Sequence, residues 1–221
     1  MQSSDMNRNW VLGVQIRLLL VAVIACGALA GTANAEATFV ANLDASQVIG
    51  TSSETGTAIA TFILDDTGEN LSYSIELFGL NLVEDPAQRT GFSDVNKVHL
   101  HNGFPTETGP HVLNIFGLPS EDDAEFVVDF ENNSITGVYN DADAIDPDTG
   151  ELFDQNDPLT TKLFANFVDD LQGGQLYLAV HTAGQDGAIA IRGQLNAVPE
   201  PSSAIVLAAC TLLCSIRRKR L

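Results

Sequence analysis

Thr57-Ala58-Ile59-Ala60-Thr61-Phe62-Ile63-Leu64-Asp65-Asp66-Thr67-Gly68-Glu69-Asn70-Leu71-Ser72-Tyr73-Ser74-Ile75-Glu76-Leu77-Phe78 reads as two strands and the turn between them. Apolar residues alternate along both halves, the period of a pleated strand whose successive side chains leave opposite faces. Asp65 to Asn70 supplies the turn residues that close the pair into a hairpin. The pattern repeats outward at Thr38 to Leu43, Val95 to His101, His111 to Phe116, Glu125 to Phe130, Ser134 to Tyr139, Gln175 to Thr182 and Ala188 to Leu195. Ala183 to Gly187 joins the last two as a second hairpin. About nine short strands with turns between them predict an all-β fold, an antiparallel Greek-key sandwich or barrel. One segment breaks the period. Asp157 can cap a helix, Pro158 suits its first position, Leu159, Leu163, Phe167 and Leu171 share a face, and Gly173-Gly174 ends the run. These signals predict one helix over residues 158–171.

Both ends of the chain read as addresses. Arg8 and Arg17, the apolar run from Leu18 to Ala30, and Ala33-Asn34-Ala35 have the form of a secretory signal peptide over residues 1–35, cleaved after Ala35. The run is too short for an ordinary membrane-spanning helix. At the other end, Val198-Pro199-Glu200-Pro201-Ser202-Ser203 precedes an apolar stretch from Ala204 to Ile216 and the basic cluster Arg217-Arg218-Lys219-Arg220. A short apolar helix over residues 204–216 would touch the inner membrane transiently, with the cluster held in the cytoplasm. Residues 199–221 resemble the PEP-CTERM sorting signal of Gram-negative bacteria. That resemblance implies recognition by an exosortase, processing near the motif, and delivery to the cell surface or the extracellular polymer matrix.

Residues 36–198 are long enough for one domain with a sizeable core. They hold four basic residues, Arg89, Lys97, Lys162 and Arg192, against 27 acids, a net charge of −23. Nucleic acid and anionic membrane are excluded as partners, because phosphate binding needs clustered Lys and Arg. All three cysteines, Cys26, Cys210 and Cys214, lie in the terminal segments. The exported domain therefore has neither a disulfide nor a cysteine nucleophile, and its stability rests on its core or on bound ions. No nucleophile elbow or phosphate loop is present. Asn140 to Asp157 is dense in oxygen ligands of the kind calcium prefers, but its spacing misses the EF-hand pattern.

The remaining chemistry is imidazole. All four histidines, His99, His101, His111 and His181, fall in strands or at a strand start. His99 and His101 leave one face of their strand with Lys97, about 6.5–7 Å apart at the backbone. His181 shares a face with Tyr177 and Ala179 on another strand, and His111 follows Gly109-Pro110. Such a group suits copper or zinc, with calcium at the acidic loop as a lesser candidate. A metal site requires imidazole nitrogens from these segments to converge within about 4 Å. Histidines serving only as hydrogen-bonding landmarks of the strands need not converge.

Leu71-Ser72-Tyr73-Ser74-Ile75, Val98-His99-Leu100-His101, Gly109-Pro110-His111-Val112, Gly174 to Thr182 and Ile191-Arg192-Gly193-Gln194-Leu195, in that order, resemble the CHRD domain. The resemblance covers nearly all of residues 37–196. It implies the fold and an extracellular setting more than an activity, and within that setting the chain reads as a non-enzymatic module acting by contact with proteins or polysaccharide of the envelope or matrix. A looser likeness is to copper/zinc superoxide dismutase, a Greek-key barrel with a His-x-His pair, a later Gly-Pro-His and a late Val-His before an arginine. It implies His99, His101 and His181 as copper ligands, His111 as a bridging or fourth ligand, and Arg192 as an anion guide. The chain lacks that enzyme's further histidines and its paired cysteines, which argues against dismutase activity while leaving a single-metal alternative on the same topology.

Overall fold

The computed structural model describes residues 36–117 and 125–199, so the expectations placed on residues 1–35 and 200–221 lie outside the described residues. The alternating segments form the strands predicted for them. In order these are β1 (Ala37–Leu43), β2 (Thr57–Leu64), β3 (Leu71–Phe78), β4 (Val95–Asn102), β5 (His111–Phe116), β6 (Val127–Asp129), β7 (Ser134–Tyr139), β8 (Leu176–Thr182), β9 (Ile189–Gln194) and β10 (Asn196–Ala197). Along β2, Ala58, Ala60, Phe62 and Leu64 are buried while Thr57, Ile59 and Ile63 face solvent. The hairpin with β3 runs in unbroken register from Thr57 opposite Phe78 to Leu64 opposite Leu71.

All named pairings are antiparallel, and they build two sheets. One has six strands in the order β10-β1-β2-β3-β7-β6, and the other has four in the order β5-β4-β8-β9. The neighbours β3 and β7, β4 and β8, and β1 and β10 are far apart in sequence, so the chain crosses repeatedly between layers. Phe39, Phe62, Leu71, Ile75 and Tyr139 from the first sheet and Val98, Leu100, Leu178, Val180 and Ile191 from the second form the core between them. Fully burying a side chain of this size stabilises by roughly 1.5–3 kcal/mol. The sheets meet at one corner, where Asp44 and Arg192 exchange backbone hydrogen bonds of 3.2 Å each way. The architecture is a two-sheet antiparallel sandwich.

The four-stranded sheet is buried on both faces. Every residue of β5 is buried, and all of β8 except His181, which is half-buried. One face of this sheet meets the core. The other, which carries the histidines, lies beneath residues 103–110 and the segment leading to α1 (Val168–Gln172).

That segment corrects the helix expected over residues 158–171. Only Val168–Gln172 is α-helical, preceded by a 3-10 turn over Phe164–Asn166. Residues 159–163 instead serve β5. The Lys162 N–H donates to the Val112 carbonyl at 2.8 Å, and the Asn114 side chain donates to the Leu159 carbonyl at 3.0 Å. The Lys162 ammonium donates to the Asp157 carbonyl and to the Thr160 hydroxyl. Asp157 caps a single turn by accepting from the Leu159 N–H at 2.9 Å. Pairing with β5 and solvation of a buried ammonium by loop oxygens outweigh the helical period, and Leu159, meant for a buried stripe, is exposed.

Candidate metal centre

The register of the four-stranded sheet assembles the site. On the face turned away from the core, Lys97 lies opposite His181, His99 opposite Ala179, and His101 opposite Tyr177. His111 lies opposite His101 from the other side, on β5. His99 thus stands at the centre, with a methyl group as its neighbour across β8. Ala179 leaves the space into which the surrounding rings lean. The His99 ring is 3.9 Å from His111, 5.2 Å from His181 and 5.9 Å from His101, centroid to centroid.

Hydrogen bonding fixes the tautomers of two rings. The Nδ1 of His101 is 3.1 Å from the Gly109 carbonyl oxygen, and that of His181 is 3.0 Å from the Gly187 carbonyl oxygen. A carbonyl only accepts, so each ring carries its proton on Nδ1 and keeps a bare lone pair on Nε2. Metal-bound histidines are held in this way, by a backbone acceptor on the far ring nitrogen. The Nε2 atoms of His99, His101 and His181 and both nitrogens of His111 are buried and make no hydrogen bond. Leaving a buried polar atom unsatisfied costs about 1–3 kcal/mol. Five such atoms lie in one patch of the folded domain.

One ligand atom from each of His99, His101 and His181 lies within 4.8 Å of the others, and among the described residues this is the one such grouping of three ligand side chains. Tetrahedral imidazole nitrogens on zinc or copper stand roughly 3.3 Å apart, so each ring needs to move inward by about 1 Å. The convergence is looser than the 4 Å expected, and the triad draws on two strands, with His111 of the third packed edge-on against His99 outside that limit. Burial, reinforced by the neighbouring cationic forms, holds all four imidazoles below their ordinary pKa, His101 at about 4 and His111 at about 3. All four are therefore neutral at physiological pH, the state a metal requires.

The rest of the face closes one end of the cluster. Tyr177 stacks on His101 with ring planes 9° apart, and the Arg192 guanidinium lies 3.5 Å over the other face of the same tyrosine. Arg192, 1% exposed, donates to the carbonyls of Glu107 and Phe104 at 2.7 Å each, pinning the loop over residues 103–110. Gln194 donates to the carbonyls of Gly103 and Gly174, and the Gly109 N–H donates to the Tyr177 hydroxyl. The anion guide implied for Arg192 is thus replaced by a structural task, since its donors are directed at loop carbonyls. Tyr177 and Ala179, which read as ordinary strand residues in sequence, are the stacking wall and the floor of the site. Their position four and two residues before His181 on the same face was the available signal.

The acidic loop that suggested calcium spends its carboxylates on turns. Asp146 accepts from the Asp148 N–H, Asp154 from the Asn156 N–H and Asp143 from the Asn140 N–H.

The profile of the CHRD domain matches residues 39–195, and the chain belongs to that family. No curated protein matches the chain, and no solved structure matches it.

Proposed function

We propose that this CHRD-family protein is an exported, non-enzymatic module of the cell surface or extracellular matrix, built around a single transition-metal site. His99, His101 and His181 hold the ion through Nε2, with His111 alongside as a fourth imidazole. Copper or zinc fits a purely imidazole set. The observation that carries this reading is that one ring nitrogen from each of His99, His101 and His181 lies within 4.8 Å of the others, with the Nδ1 of two of these rings fixed by backbone carbonyls. In a domain without disulfides the ion adds stability to the face of the sheet that the apolar core does not reach. The ion also supplies a charge that polarises whatever ligand reaches it.

Metal analysis of the purified exported protein tests the site. One copper or zinc per chain is expected, with loss of most of it in His99→Ala and His181→Ala. Substoichiometric metal in the wild type, or unchanged occupancy in both variants, removes the metal from the proposal.

Export rests on the two terminal segments. The signal peptide over residues 1–35 and the PEP-CTERM segment over residues 199–221 direct the domain out of a Gram-negative cell, with an exosortase as the processing partner. The −23 charge of residues 36–198 suits contact with extracellular proteins or neutral polysaccharide and disfavours polyanions. The intact mass of the surface form should lack both ends, and a mass retaining Arg217 to Arg220 contradicts processing at Pro199-Glu200-Pro201.

A further inference from the structure

Three of the four basic residues in this strongly acidic domain belong to the imidazole face or its cover. Lys97 is on the face itself, directly opposite His181 and two residues before His99, while Arg192 and Lys162 flank the cluster on β9 and beside β5. The latter two are committed to main-chain carbonyls. The Lys97 side chain makes no hydrogen bond or ion pair among the described residues, and it is half-buried beside the half-buried His181, at the end of the cluster that Tyr177 does not close.

The ligand group itself contains only neutral imidazoles and no carboxylate. A divalent ion bound there keeps its full charge in a poorly solvated place, with a lysine ammonium beside it. Burial of such charge requires a negative partner. The domain has 27 acids, yet the triad includes none of them, and the residue paired across the sheet with His181 is a cation.

The geometry points to a small exogenous anion, bound to the metal at the end of the site nearest His181 and held there by Lys97. This rests on the metal reading above and specifies the ligand class of the same centre. The anion supplies the missing charge, its bond to the metal provides the affinity, and the Lys97 ammonium provides the selection for an anion over a neutral donor. Lys97 is a specificity residue in this scheme and not a metal ligand.

Azide is a suitable probe, because its coordination to Cu(II) produces a charge-transfer band. The exported protein, loaded with one equivalent of Cu(II), is titrated with azide and followed by absorption and electron paramagnetic resonance. Wild type should bind azide saturably. Lys97→Met, which keeps the aliphatic stem, should retain copper stoichiometry and weaken azide by about tenfold, and Lys97→Arg should recover most of the loss. Copper bound at one equivalent with spectra unmoved by azide overturns the anion and leaves the metal site standing. Azide affinity unchanged in Lys97→Met overturns the role of Lys97. Failure of the wild type to hold copper overturns the centre and this inference together.

Discussion

A histidine whose Nδ1 proton is fixed to a backbone carbonyl has one use left for its other nitrogen, and burial decides which. At His101 and His181 that nitrogen is buried with no partner. The cost of this arrangement shows itself as a dependence on pH. Folded His101 and His111 titrate near 4 and 3, whereas in the unfolded chain an imidazole titrates near 6.5. Between these values the unfolded chain binds more protons, so the stability of the metal-free protein is level above about pH 6.5 and falls as pH drops towards 4. His101 alone contributes on the order of 2–3 kcal/mol to that loss. Urea denaturation of chelator-treated protein at pH 7.5 and at pH 4.5 should show the lower midpoint in acid, and equal midpoints would contradict the neutral, buried cluster. The histidine types and their His-x-His spacing were visible in the sequence. The ring tautomers were not, because the acceptors, Gly109 and Gly187, belong to loops whose path only folding decides.

Among the elements, the hairpin of β2 and β3 was legible to the residue, since side-chain alternation and turn chemistry act over neighbours and need no long-range information. The segment over residues 158–171 was not. Its capping and apolar spacing are helical, but β5 offers edge hydrogen bonds that a local pattern does not register: its Val112 carbonyl accepts from the Lys162 N–H, and its Asn114 side chain donates to the Leu159 carbonyl. The loop over residues 103–110 shows how closely the elements are fitted. A Cβ added at Gly109 would lie 1.4 Å from the Asn102 carbonyl oxygen, a backbone atom that cannot yield by rotation. The Gly109 carbonyl is also the acceptor that orients His101. Gly109→Ala should therefore lift the loop, lower stability by about 1–3 kcal/mol and weaken metal binding, although residue 109 bears no ligand. Calorimetry and metal titration of this variant check both effects, and wild-type values in both would place the loop apart from the site.

At the scale of the whole molecule, charge is the dominant statement of composition. Four basic residues against 27 acids over residues 36–198 make the folded domain repel itself, more so at low salt where screening is weak. Raising sodium chloride from about 10 to 300 mM should raise the thermal midpoint by roughly 2–5 °C, read by calorimetry on the metal-loaded protein. A midpoint independent of salt would show the acids already neutralised by bound cations. The sequence by itself determined the all-β class, most strand limits, the acidic surface and the imidazole chemistry, because periodicity and composition are local or additive properties. Tertiary structure alone decided which strands outside the two hairpins are neighbours. That pairing sets Lys97 opposite His181 and Ala179 opposite His99, covers the polar face with two loops, and draws histidines 82 positions apart into one buried group. Register across a sheet depends on the packing of both layers at once, and no stretch of chain contains that information.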